Sequence, residues 1–238
     1  MARGAIWKSI AQTLSAEIAE GRYHPGDRLP SEADFATRFG VNRHTVRHAL
    51  AALAEAGTVR SRRGAGVFVA ARPTEYALGR RVRFHQNVAA SGRTPSRQIT
   101  LRETRGAGAK EAEALRLPPG TSVHVIEGVS RIDGQPVAVF RSVFDAARFP
   151  DLLAQMAAQN SVTAALAACG LTDYTRAETL LTAKAAPPVL ALALQIAEGA
   201  PLLRSVAVNV DAAGVPVEYG TTWFAGERVT LTVAPETP

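Results

Sequence analysis

The run Asn42-Arg43-His44-Thr45-Val46-Arg47 places two guanidinium groups, an imidazole and a hydroxyl directly behind a residue suited to cap a helix. Side chains of these types, grouped at a helix start, can fork onto phosphate oxygens or onto base edges in a major groove. By position, Arg47 suits a base edge, Arg43 a base or a phosphate, Thr45 a backbone phosphate, and His44 faces outward beside them. A second basic cluster follows, in which Arg60, Arg62 and Arg63 stand next to Gly64 and Gly66. Arg62 and Arg63 suit phosphates or the minor groove. A glycine-rich loop also cradles a nucleotide phosphate when Lys-Ser/Thr and a helix come after it, but neither does here. The chemistry is recognition of a polyanion, and DNA is the expected partner.

Three helices and a hairpin must hold these residues. Ile6, Ile10, Leu14 and Ile18 recur every fourth position, with Gly21 as a stop, and predict an amphipathic first helix. Ser31 caps a second helix, with Glu32 and Asp34 at its positive end, and this helix closes at Phe39 and Gly40. Asn42 caps the third. Its Val46, Ala49, Leu50 and Leu53 share one arc, leaving His44, Arg47, His48 and Ala51 on the opposite side. Val59 and Ser61 alternate with Arg60 and Arg62, and Val67 and Val69 return after the glycine tip, which predicts a two-stranded wing.

The charge agrees with this placement. Residues 1–72 carry 11 Lys+Arg against 6 Asp+Glu, whereas residues 73–238 carry 16 against 15. The excess therefore sits where it can hold a phosphate backbone. The only cysteine, Cys169, excludes an intrachain disulfide and a cysteine-based metal cluster. No metal or other cofactor is expected. No apolar run reaches the roughly 20 residues of a membrane helix. Lys8, Ser9, Gln12 and Glu17 interrupt any signal-peptide pattern, so the cytoplasm is the expected location.

Helix, helix, helix and wing at these spacings resemble the winged helix-turn-helix domain of the GntR family of bacterial transcriptional regulators. The likeness rests on Leu29-Pro-Ser-Glu32, Phe39-Gly-Val41, Arg43-x-Thr-Val-Arg47-x-Ala-Leu50 and Arg63-Gly-x-Gly66. It implies that Arg43, Thr45, Arg47 and Gly66 meet operator DNA. Many relatives carry a basic residue after the Ser-Glu pair, where this chain has Ala33.

A linker from Ala71 to Thr74 sets the boundary between domains at residues 1–72 and 73–238. The larger part repeats itself. Ala114-Leu-Arg-Leu-Pro-Pro-Gly120 returns as Ala193-Leu-Gln-Ile-Ala-Glu-Gly199 at an offset of 79, and Asp133-Gly-Gln-Pro-Val137 returns as Ala213-Gly-Val-Pro-Val217 at an offset of 80. Each copy reads as a strand, a short helix and a hairpin, so two copies predict one antiparallel sheet with helices on a face, an α+β fold. Phe149 to Gly170 reads as two helices between the copies. Ile132-Asp-Gly-Gln-Pro-Val137, Arg148-Phe-Pro-Asp-Leu152, Asp211-x-x-Gly-x-Pro-Val-Glu218 and Trp223-Phe-x-Gly-Glu-Arg228 are similar to the UTRA effector domain of HutC-branch GntR regulators, a domain with the fold of chorismate lyase. The resemblance implies a homodimer that reads an inverted repeat and responds to a small ligand, without catalysis.

UTRA domains that take sugar phosphates place two arginines on the strand before the Asp-Gly turn. Here Gly128 and Ser130 hold those positions, with Arg131 out of phase. Leu78-Gly-Arg-Arg-Val-Arg-Phe-His-Gln-Asn87 instead resembles the PhnF group, regulators of phosphonate uptake and breakdown. That likeness implies an anion pocket of Arg83, Phe84, His85, Asn87 and Arg141, with Glu218 receiving an amine or hydroxyl. Two alternatives stay open: a sugar phosphate or other acidic metabolite as effector, and a chorismate-lyase-like enzyme, for which His85 with Glu218 is the conceivable pair.

Overall fold

Apolar stripes and their caps build the first unit. The structure is a computed structural model and describes residues 3–62, 64–70, 73–79, 84, 88, 92–159 and 161–233. The chain divides into two units, Met1–Arg72 and Pro73–Pro238. The first holds helices α1 (Arg3–Ala19), α2 (Glu32–Phe39) and α3 (Arg43–Glu55), followed by strands β1 (Val59–Arg62) and β2 (Gly66–Val69). Ile10 and Leu14 of α1, Phe35 of α2, and Val46, Ala49, Leu50 and Leu53 of α3 bury together with Val59 and Val69. The outer end of the α1 stripe, Ile6, remains 44% exposed.

Polar groups fix the angles between these elements. Ser31 and Asp34 form a reciprocal capping box at the start of α2. Gly40 ends that helix in the left-handed region, at φ 63°. The largely buried Glu17 of α1 accepts from Arg22 at 2.9 Å and from Arg38 of α2 through Nη1 at 2.9 Å. The hydrogen bond from Arg38 holds its carboxyl below the ordinary range, against the opposing effect of burial. β1 and β2 pair antiparallel from Val59↔Val69 to Arg62↔Gly66. An extended segment that the sequence did not announce adds to the wing, since Leu29 N donates to Val67 O and Val69 N to Asp27 O.

The second unit is the duplication in three dimensions. Copy one is β4 (Pro95–Gly106), α4 (Ala109–Leu115), β5 (Ser122–Ile132) and β6 (Gln135–Asp145). Then come α5 (Leu152–Gln159) and α6 (Val162–Ala168). Copy two is β7 (Thr175–Ala185), α7 (Pro188–Leu194), β8 (Pro201–Val210) and β9 (Pro216–Ala225). Six strands form one antiparallel sheet in the order β4-β5-β6-β9-β8-β7, with the copies meeting at β6 and β9. Each copy turns on its predicted glycine. In copy one the two hairpin residues Asp133 and Gly134 take positive φ, 49° and 76°. In copy two Asp211 Oδ1 accepts from Ala213 N and Val215 N at 2.9 Å, around Gly214.

Helices cover both faces of the sheet, not the single face expected. Ile126, Phe140 and Phe144 face one way onto Leu152, Met156 and Leu166 of α5 and α6. Val123, Val125 and Val143 face the other way onto Leu115 of α4, and Val139, Leu202 and Trp223 lie with Leu194 of α7. The reason is compositional: the central strands are apolar at consecutive positions, so neither face tolerates water. Thr74, expected in the linker, instead begins β3 (Thr74–Ala77), which pairs in parallel with β10 (Val229–Thr232). Parallel pairing of distant short segments leaves no local hairpin signal in a sequence.

Candidate functional site

Two assemblies of polar side chains emerge, one in each unit. In the first, Asn42 accepts from Thr45 N at 2.9 Å and from Thr45 Oγ1 at 2.9 Å. The cap thus fixes the rotamer of Thr45 while it starts α3. Arg43, His44 and Arg47 are exposed on the turn that follows. His48 also lies on the outer side but is occupied by packing, with its ring 5.1 Å from that of Trp7.

Arg47 is oriented before any partner arrives. Its Nε donates to Glu32 Oε1 at 2.9 Å and its Nη2 to Glu32 Oε2 at 2.7 Å. This bond raises the Arg47 pKa and holds the Glu32 carboxyl below its ordinary range. The contact uses the side edge of the guanidinium. Of its five N–H donors, the two on Nη1 and one on Nη2 stay available, and these form the end-on fork. At the wing, Gly66 has φ +108°, and a Cβ there would come within 3.0 Å of Arg28 Nε. Arg62 ends β1 opposite Gly66, and Arg63 lies outside the described residues.

In the second unit a cavity of about 80 Å³ opens on the α5–α6 face of the sheet. Among the described residues its cations are Arg97 of β4 and Arg176 of β7, its carboxylate is Glu218 of β9, and Tyr76, Phe84, Phe140 and Tyr174 supply ring walls. The Arg97 guanidinium lies 4.7 Å from the Phe140 ring centroid and 5.2 Å from that of Phe84. Although part of the Arg97 side chain reaches solvent, desolvation of the head pushes its pKa down, against attraction from Tyr76, Glu218 and Tyr174. Burial likewise pushes the Tyr76 phenol up. Glu218 is anchored at both oxygens, by Ser142 Oγ at 2.5 Å and by Asn209 Nδ2 at 2.6 Å. Each carboxylate oxygen keeps a second acceptor position.

Of the residues expected at the effector pocket, Phe84 and Glu218 line this cavity. Arg83, His85 and Asn87 lie outside the described residues. Arg141 is elsewhere. It is adjacent to Phe140 and Ser142, which face the cavity, so strand alternation turns it to the opposite face. There it lies 3.5 Å from Glu111 Oε1 and 3.3 Å from Glu127 Oε1. At Gly128 no side chain has room: a Cβ there would fall 2.5 Å from Gln98 O and 2.9 Å from the Phe140 ring. Sequence reading missed Arg97 and Arg176. The signal was present, because the 79-residue offset that reveals the duplication also equates these two arginines.

Several motif residues serve the frame. Arg148 Nη2 donates to Asp211 Oδ2 at 2.5 Å, tying the entry to α5 to the β8–β9 turn. Arg228 is buried and donates to Leu194 O at 2.6 Å and Gln195 O at 2.9 Å, satisfying carbonyls at the end of α7.

Comparison with known proteins gives a family for each unit. The family model for the bacterial regulatory proteins of the gntR family matches residues 7–69, and that of the UTRA domain matches residues 90–230. The HTH-type transcriptional regulator RB1450 of Rhizobium meliloti (strain 1021) is 38% identical over 230 residues, spanning 96% of this chain and 94% of that protein. The probable transcriptional regulator PhnF of Escherichia coli (strain K12) is 31% identical over 229 residues, spanning 95% of this chain and 94% of that protein. In fold, the crystal structure of PhnF from Mycobacterium smegmatis matches with a TM-score of 0.66 at 24% identity, covering 97% of this chain and 99% of that one. Both sequence relatives are named as transcriptional regulators, PhnF as a probable one. No helix among the described residues is long and apolar enough to cross a membrane. The chain belongs to the GntR family as a ligand-responsive DNA-binding regulator whose C-terminal unit is a UTRA domain.

Proposed function

We propose that this regulator represses genes of phosphonate uptake or breakdown, acting as a homodimer on an inverted-repeat operator and answering to a small anionic effector. Arg47 reads a base edge, Arg43 a base or phosphate, and Thr45 a phosphate, with His44 beside them. Arg62, Arg63 and Gly66 bring the wing to the backbone. The sensor, of chorismate-lyase-like fold, takes the effector in the cavity between Arg97, Arg176 and Glu218. Phe84 is a wall, and Arg83, His85 and Asn87 come from the segment resembling the PhnF group.

The observation that carries this reading is the pairing of a cationic cavity with an exposed, pre-oriented Arg47 in one chain. Support also comes from PhnF of Escherichia coli among the relatives. Effector binding changes the relative population of DNA-competent and DNA-incompetent dimers. The test measures operator affinity of the full-length protein with and without saturating alkylphosphonate or aminoalkylphosphonate. Equal affinities would remove the phosphonate assignment. A response to sugar phosphates or other acidic metabolites alone would establish the second reading, in which the same reading head serves a different inducer.

A further inference from the structure

The duplication places the cavity across its own quasi-twofold. At the seam of the sheet Arg141 pairs with Thr221, and the 80-residue offset makes these two positions counterparts of each other. The quasi-axis therefore crosses the sheet at this pair. On the cavity face beside it, Ser142 and Thr222 are counterparts by the same offset, as are Phe140 and Gly220, and all four line the cavity. Further out, the 79-residue offset relates Arg97 to Arg176 and Ser130 to Asn209. The local pairing agrees, since Arg97 lies opposite Ser130 and Arg176 opposite Asn209. β4 and β7 are the two outermost strands, yet their arginines line one cavity.

Two like charges in one partly desolvated space are unfavourable unless an anion joins them. Among the described residues Glu218 is the only carboxylate lining the cavity, and Ser142 and Asn209 already hold it. Nε and Nη1 of Arg176 are buried, and no described group accepts from either. Among the described residues, two arginines against one glutamate leave an excess of positive charge, which an anionic ligand offsets. Guanidinium groups approaching from opposite copies are best met by a group with more than two acceptor oxygens, because one carboxylate cannot offer a full edge to both forks.

From this arrangement we infer that Arg97 and Arg176 are a paired clamp for a tetrahedral oxyanion, a phosphonate or phosphate group, whose short ammonium- or hydroxyl-bearing tail is received by Glu218. The clamp rests on the reading of this cavity as the effector site. It moves the anion contacts from β5, where Gly128 and Ser130 stand, to the first strand of each copy.

Calorimetric titration of the full-length protein tests this with inorganic phosphate, methylphosphonate, 2-aminoethylphosphonate, a sugar phosphate and acetate. The oxyanions are expected to bind wild type more tightly than acetate. Arg97→Gln and Arg176→Gln should each weaken that binding by about 10- to 100-fold, to similar extents. The unliganded Arg176→Gln protein should melt no lower than wild type, because the substitution removes a charged group whose buried Nε and Nη1 have no described acceptor. If Arg97→Gln does not fold, Arg97→Lys keeps the charge, lacks the fork and should still lose most of the affinity.

Wild-type affinity for oxyanions in either variant overturns the clamp, as does acetate binding as tightly as phosphonate. So does a wild type that binds no oxyanion. Binding of the sugar phosphate alone, lost in both variants, upholds the clamp and removes the phosphonate assignment.

Discussion

Arg47→Lys separates base reading from phosphate holding. Lysine keeps the positive charge and roughly the reach but has no planar fork. In the structure, Glu32 takes the side edge of Arg47 through Nε and Nη2 and leaves the end-on pair outward, the edge that matches the two acceptors of a guanine. Loss of one bidentate base contact lowers discrimination by about 5- to 150-fold per half-site, so two heads on an inverted repeat lose about 25- to 20,000-fold. Lysine still meets a phosphate, so the dependence of log affinity on log salt should change by much less than the ~0.9 expected for each lost phosphate contact. Fluorescence anisotropy with operator and scrambled duplexes, at several salt concentrations between roughly 50 and 200 mM, measures both quantities. Glu32→Gln should show a smaller loss of the same kind, because an amide offers one acceptor where the carboxylate offers two. If Arg47→Lys keeps the operator-to-scrambled ratio within about twofold, Arg47 is a phosphate contact and the reasoning from the held side edge fails.

Other perturbations follow from the same structure. Arg141→Gln should leave anion affinity within about twofold in calorimetry, since Arg141 faces away from the cavity; a loss matching that of Arg97→Gln would contradict the assigned faces. Glu111 accepts from Arg105 through both oxygens at 2.7 Å and from Gly108 N at 2.8 Å, and the Arg105 bond chiefly holds its carboxyl below the ordinary range. A depressed carboxyl stabilises the fold above its unfolded pKa and loses that contribution as pH falls through its folded value. Glu111→Gln should therefore cost about 1.5–3 kcal/mol at pH 7, a drop in Tm of about 3–12 °C, and the gap to wild type should close in scans below about pH 4. Gly66→Val should lower the stability of the reading head by about 1–3 kcal/mol in denaturant unfolding. The chief cause is the strain of a β-branched residue at φ +108°. Phe144→Ala removes a fully buried ring from the sensor core and should cost about 3–5 kcal/mol by the same measurement.

What could be read from the sequence was what local physics writes into it. The capping box at Ser31 and Asp34, the Asn42 cap and the Asp133-Gly134 hairpin each depend on neighbours in the chain, so residue type and spacing located them. The repeat was equally legible, because its two copies carry the same turns and apolar positions. The cavity was harder. Arg97 and Arg176 sit on ordinary alternating strands, and no short motif marks either one. They meet only when six strands assemble in an order different from that of the chain. Arg141 misled for the opposite reason: beside Phe140 it seemed close to the ligand, but a one-residue step on a strand changes the face. Motifs such as Arg148-Phe-Pro-Asp and Gly-Glu-Arg228 proved to be joints of the frame, which depend on distant carbonyls and carboxylates that the sequence does not bring together.

Short strand β3 joins two places that are otherwise far apart in the fold's logic. It begins beside Pro73, where the sensor unit starts, and by its third residue it has reached Tyr76, a wall of the cavity. At most about 11 Å of extended chain separates them. Its rungs to β10 make this length behave as a rod rather than a thread. The first strand of the sensor unit is thus also a wall of the cavity, and whatever displaces the Tyr76 ring acts on the register of β3 against β10.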